Sequence, residues 1–156
     1  MAGLVARGLS MFEGYARRAE ERKRRRLLPA HPGMADLVAA HSVEDLRRLG
    51  KELGLSKLAG RREAVEARVL KALRDVDRTR ARLEALPGEL REPLRKLRQS
   101  GGSMPYDDFT RTFDPPKKEP GSPSVLSRLE KLGVVLIGTI GGRPSVALPS
   151  ELGPLL

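Results

Sequence analysis

The chain predicts a mainly α-helical fold closed by one two-stranded β hairpin, in three parts: a basic amphipathic helix and linker (1–33), a helical unit (34–85) and a second small unit (86–156). Three observations carry this. Apolar residues recur at helical spacing over most of the 156 residues. The run VVLIGTI is β-branched and strand-like, and the GGRP and SVALP after it read as a turn and a returning strand. Pro29, Pro32-Gly33 and Pro87-Gly88 break the periodicity where the parts meet. An apolar share of 39% is low for one large core and fits two small modules better.

In the first part Leu4, Val5, Leu9, Phe12, Tyr15, Ala16 and Ala19 share a helical face, and the polar face ends in Arg22, Lys23, Arg24, Arg25 and Arg26. No apolar run suits a membrane span or a cleavable leader, so no export is expected. A basic amphipathic helix suits a membrane surface, a partner or a nucleic-acid backbone. The favoured reading is an arm that touches phosphates without sequence preference.

After the short apolar turn MADLVAA, Ser42 stands as an N-cap with Asp45 three residues on. Leu46, Leu49 and Leu53 follow on one face, and Gly54 ends that helix. Beyond Gly60 a second stripe holds Val65, Val69, Ala72 and Leu73, with Arg61, Arg62, Arg68 and Lys71 largely off it. Val76, Leu83 and Leu86 continue the stripe, so this helix is expected to run on to Ala85. Its start attracts anions: Gly60 relaxes the backbone, unpaired N–H groups point outward, and Lys57, Arg61 and Arg62 stand beside them.

In the last part Leu90, Leu94 and Leu97 mark a helix ended by Ser100-Gly101-Gly102. Met104 to Tyr106 is extended, DDFTRTF is a two-turn helix and DPPKKEPG is loop. Ser122 caps a third helix with Pro123 at its first position. Val125, Leu126, Leu129 and Leu132 face inward there; Ser124, Ser127, Arg128 and Lys131 lie opposite.

The charge of +10 and pI near 10.6 indicate a polyanionic partner. Residues 1–100 carry 24 Lys and Arg against 14 Asp and Glu, whereas residues 101–156 carry 6 against 6, so the footprint is N-terminal and central. Absence of Cys excludes disulfides, thiolate zinc sites and cysteine nucleophiles, and suits an intracellular, cytoplasmic protein. Asn is missing and Gln occurs once, the composition of a hot-living, GC-rich bacterium. His31, Asp36 and His41 match no standard zinc spacing, GTIGGRP reads as a hairpin turn between strands, and the carboxylates lie beside Lys or Arg. No enzyme, cofactor, metal or small-molecule substrate is expected.

The run from His41 to Leu73 resembles a SAP motif, the helix-extended-helix DNA-binding module, through Val43, Leu46, Leu49, Gly54-Leu55 and GRREAVEARV. The stretch from about Leu86 to Pro149 resembles a winged helix: helix, short strand, helix, helix and hairpin, with SVLSRLEKLGVVLIGTIGGRPSVALP as recognition helix and wing. That resemblance implies that Ser124, Ser127, Arg128 and Lys131 face the major groove and that Arg143 at the wing tip meets a phosphate or the minor groove. It equally implies a dimerisation or docking module, which the neutral charge of this part favours. The expectation is therefore a non-catalytic, nucleoid-associated protein gripping duplex DNA, its winged helix a second contact or dimer interface. The alternatives are an accessory subunit docked on a helicase, nuclease or polymerase, and an RNA-binding protein.

Overall fold

The computed structural model describes Gly14 and residues 17–116 and 122–156. Helix α1 (residues 17–25) precedes α2 (Met34–Ala40), α3 (Val43–Glu52), α4 (Arg62–Leu73), α5 (Val76–Glu84) and α6 (Gly88–Gln99). Then come β1 (Ser103–Pro105), α7 (Tyr106–Phe113), α8 (Val125–Lys131), β2 (Leu136–Ile140), β3 (Arg143–Ala147) and a 3₁₀ turn, Gly153–Leu155. The expected faces of Leu4, Val5, Leu9, Phe12, Tyr15 and Ala16, and the pair Lys117-Lys118, lie outside the described residues.

The fold is mainly helical, with a three-stranded antiparallel sheet ordered β1-β3-β2. Met104 stands opposite Val146 and Ile137 opposite the same valine, which places three apolar side chains in one row of the core. Gly141-Gly142 is the turn between β2 and β3, so Arg143 and Pro144 belong to the strand and not to the turn. Buried residues from 34–85 and from 86–156 form one apolar cluster, from Met34, Leu37, Leu46 and Leu49 to Phe109, Leu129, Ile137 and Leu152.

Two helix boundaries differ from the sequence reading. The helix after Gly60 stops at Leu73 and does not reach Ala85. Asp75 is extended and its carboxylate accepts the Arg78 N–H at 3.1 Å, capping α5, while the buried Thr79 hydroxyl donates to Leu73 O at 2.7 Å. Val76, read as part of the stripe, is 51% exposed. The third helix of the last part is capped by Ser124, whose hydroxyl accepts the Ser127 N–H at 3.0 Å, and not by Ser122. Asp114 reinforces that start, accepting from the Val125 and Leu126 N–H groups at 2.6 and 3.0 Å.

The end of the basic N-terminal segment, residues 24–28, is seated on β2 and is not a free arm. Leu27 bridges Thr139 in parallel, extending the sheet past β2. Thr139 N–H donates to Arg26 O at 2.6 Å, Leu28 N–H to Thr139 O at 2.9 Å and the Thr139 hydroxyl to Arg24 O at 2.6 Å. Gly138 permits this: a Cβ there would meet Arg26 O at 2.6 Å.

Glu151 joins the chain's end to α2 and α4. Its Oε1 accepts from Met34 N–H at 2.9 Å and Ser150 Oγ at 3.2 Å, and its Oε2 lies 3.4 Å from Arg74 Nε. Burial raises this carboxyl, but bonds from the Met34 and Glu151 backbone, Ser150 and Arg74 more than reverse that, holding it below the usual glutamate value. A depressed carboxyl contributes stability above its unfolded pKa, about 4.3, and loses it as pH falls through the folded value. Glu151→Ala is expected to cost about 1 kcal/mol at pH 7, reduced by solvent at this partly exposed site. The gap between wild type and variant should shrink at pH 3.5, which thermal melts at the two pH values measure.

Candidate nucleic-acid interface

The loop from α3 to α4 is built by two inward leucines and two arginines. Leu55 N–H reaches back to Gly50 O at 2.9 Å, and Leu58 is buried against the body. Between them Lys57 adopts a left-handed φ of 56°, an uncommon conformation for a residue with a Cβ. Gly60 has φ 119°, which suits glycine. Arg47 Nε donates to Leu58 O at 3.0 Å and its Nη2 to Gly60 O at 3.3 Å, while Arg68 Nη1 donates to Lys57 O at 2.8 Å. Three loop carbonyls are thereby bound to guanidinium groups of the flanking helices.

The side chains of Lys57 and Arg61 remain exposed, and neither has an acidic partner among the described residues. Arg61 is the N-cap of α4 and supplies no side-chain cap, so the first turn presents its amide donors beside Arg61, with Lys57 on the loop that leads into it. Glu63 in that turn is the competing charge. The geometry suits an anion held by backbone N–H groups with Lys57 and Arg61 beside them.

Arg62 and Arg68, expected at the same site, do other work. Arg62 Nε lies 2.5 Å from Glu66 Oε1, and its Nη2 donates to His41 O and Ala39 O at 2.5 and 3.3 Å, fastening α4 to the α2–α3 corner. Arg68 is the loop strut already described. Arg47 was not singled out from sequence, where one arginine on a polar helical face carries no mark of its carbonyl partners.

The five N-terminal cations divide in the same way. Arg22 and Arg25 are exposed and align with Arg18 on the outer face of α1. Lys23 lies 3.3 Å from Glu130 and 3.4 Å from Glu20. Arg24 stacks on Tyr106 at 4.3 Å, and Arg26 Nη1 donates to Ile137 O at 3.5 Å. Arg143 is exposed at the start of β3.

On α8, Ser124 is occupied as a cap and Arg128 lies 2.8 Å from Glu89. Ser127 and Lys131 line a cleft of about 140 Å³ formed with the end of α1 and the α2–α3 corner. The outer face of α8 is thus shared with α1 and α3. His41 Nδ1 contacts Leu37 O at 2.7 Å, Asp36 accepts Gly33 N–H at 2.8 Å, and no group of three metal-ligating side chains occurs among the described residues. No helix of the described residues is long and apolar enough to cross a membrane.

Burial raises the Glu130 carboxyl above its usual range, and Lys23 only partly opposes this. Burial lowers the Lys23 ammonium, but Glu130 and Glu20 more than offset it. Lys23→Met leaves Glu130 buried without its cation and is expected to destabilise by about 1–2 kcal/mol near neutrality. A raised carboxyl favours the folded state as pH falls, so the loss should be larger at pH 8 than at pH 5, read by thermal melts. No family model, curated protein or solved structure matches this chain.

Proposed function

We propose that the chain is a non-catalytic nucleic-acid-binding protein that holds duplex DNA through its phosphate backbone. One observation carries this: among the described residues Lys57 and Arg61 stand exposed without acidic partners, Lys57 on the loop into α4 and Arg61 at its uncapped start, and the loop's carbonyls are bound by Arg47 and Arg68. Such a loop binds anions without rearranging, which lowers the entropic cost of association. In this reading residues 41–73 act as a SAP-type helix-extended-helix, and Arg22 and Arg25 add backbone contacts. Base reading is modest, because the chain has no Asn and one Gln to pair with adenine.

Residues 86–150 serve in this reading as a winged-helix module. Support comes from the order helix, strand, helix, helix, hairpin, with β3 between β1 and β2. A docking role on a larger DNA-processing enzyme is the second reading, favoured by the partial cover of α8 by α1 and α3, which opposes insertion of that helix into a major groove.

Gel shifts of the full chain on duplex DNA, single strands and duplex RNA at two salt concentrations separate these readings. Lys57→Ala with Arg61→Ala is expected to weaken duplex binding for all sequences alike and to flatten log K against log salt by about 1.8, at roughly 0.9 per phosphate contact. Glu63→Ala should bind equally or slightly more tightly. Arg62→Ala should lower the melting temperature more than the salt slope. Unchanged affinity and slope in a folded double variant overturn the proposal.

A further inference from the structure

The cleft between α1, the α2–α3 corner and α8 is separate from the α3–α4 loop, and four cations from three elements line it: Lys23 and Arg26, Arg48, and Lys131. Two acids oppose them. Glu130 pairs with Lys23 at 3.3 Å, and Asp45 lies 3.6 Å from Arg48. Arg26 uses one nitrogen on Ile137 O, and Lys131 has no acidic partner among the described residues. The hydroxyl of Ser127 and the ring of His41, whose Nδ1 is engaged by Leu37 O, complete a lining with more donors than acceptors. Its volume of about 140 Å³ admits a small tetrahedral anion and its hydration, but no base or ring system.

We propose that this cleft is a phosphate seat, in which Arg26, Arg48 and Lys131 supply the charge and Ser127 a hydrogen bond, and that it receives a backbone phosphate of the bound nucleic acid. The inference rests on the nucleic-acid reading for its ligand, though not for its chemistry: a free phosphate meets the same donors. A guanidinium and an ammonium from different elements close on one anion only if those elements stay packed, so the seat ties phosphate binding to the docking of α1 and α3 on α8.

Lys131 is the residue to test, because it is exposed and holds no other element in place. Salt-dependent duplex binding by full-length Lys131→Ala, Lys131→Arg and Lys57→Ala/Arg61→Ala is measured, together with ¹H–¹⁵N spectra of the wild type titrated with inorganic phosphate and with a short duplex. Lys131→Ala is expected to weaken duplex binding roughly eightfold at 0.1 M salt, the loss of one contact's counterion release, with recovery in Lys131→Arg. The duplex should shift the amides of Ser127 and Lys131 in the wild type. Full duplex affinity in a folded Lys131→Ala, alongside a loss in the loop variant, overturns the seat and leaves the loop reading standing. Phosphate shifts at Ser127 and Lys131 without a duplex effect overturn the assignment to a backbone phosphate. No duplex binding by the wild type overturns the nucleic-acid reading itself, and phosphate shifts at the cleft would then identify a seat for the free anion.

Discussion

Guanidinium-to-carbonyl bonds at the ends of helices and strands hold this fold in register. Arg47 binds Leu58 O and Gly60 O, Arg62 binds Ala39 O and His41 O, Arg68 binds Lys57 O, Arg82 binds Leu132 O and Arg26 binds Ile137 O. The last carbonyls of a helix and those of a tight loop need donors, and a chain with no Asn and one Gln has few short side chains to supply them. Arginine reaches farther and carries five donors on a flat head, so one residue can satisfy two carbonyls from a neighbouring element. Arg82 to Leu132 is the clearest case, because it spans 50 residues of chain and joins α5 to the end of α8.

This use of arginine limits what the formal charge reveals. The large excess of Lys and Arg in residues 1–100 predicts one electrostatic footprint, yet Arg24, Arg26, Arg47, Arg62, Arg68 and Arg82 all contact other parts of the protein. A guanidinium on a carbonyl keeps its charge but not its freedom of direction, so it contributes field and not a mobile contact. Arg22, Arg25, Lys57 and Arg61 are among the side chains of that half left exposed to meet a ligand, with Arg17, Arg18, Lys51, Lys71, Arg80 and Lys96. No periodicity separates the two groups, since each mixes polar helical positions with positions outside a helix: Arg26 in the first, Lys57 and Arg61 in the second.

Much of the secondary structure was legible because side-chain spacing writes it directly. Leu46 and Leu49 on α3, Val65, Val69 and Leu73 on α4, and Leu90, Leu94 and Leu97 on α6 are all buried as their spacing predicts. The boundary at Arg74-Asp75 was lost because Val76 and Leu83 continued the stripe, while the local signal against it, Asp75 as a cap, is a single residue. At the start of α8 two serines compete, and Asp114, eleven residues before Val125, helps to decide for Ser124. The seating of residues 24–28 on β2 had no side-chain signature, since its bonds involve the backbone and Thr139; Gly138 within VVLIGTI was the one mark, and it reads equally as an ordinary strand glycine.

The balance of six cations and six anions in residues 101–156 gives a related lesson about the candidate site. Three of its acids are engaged within the fold, Asp114 by the start of α8, Glu130 by Lys23 and Glu151 by the Met34 N–H and Arg74, while Asp107 and Asp108 are exposed. Lys131 and Arg143 are exposed too, with no acidic partner among the described residues. Exposed charges are screened over about 8 Å at physiological salt, so a ligand feels the groups nearest it more than the sum over the segment. A neutral segment can therefore carry a positive cleft, and Lys131 lines one with cations supplied by α1 and α3. Such a surface exists only in the packed fold, because its charges come from residues more than a hundred positions apart.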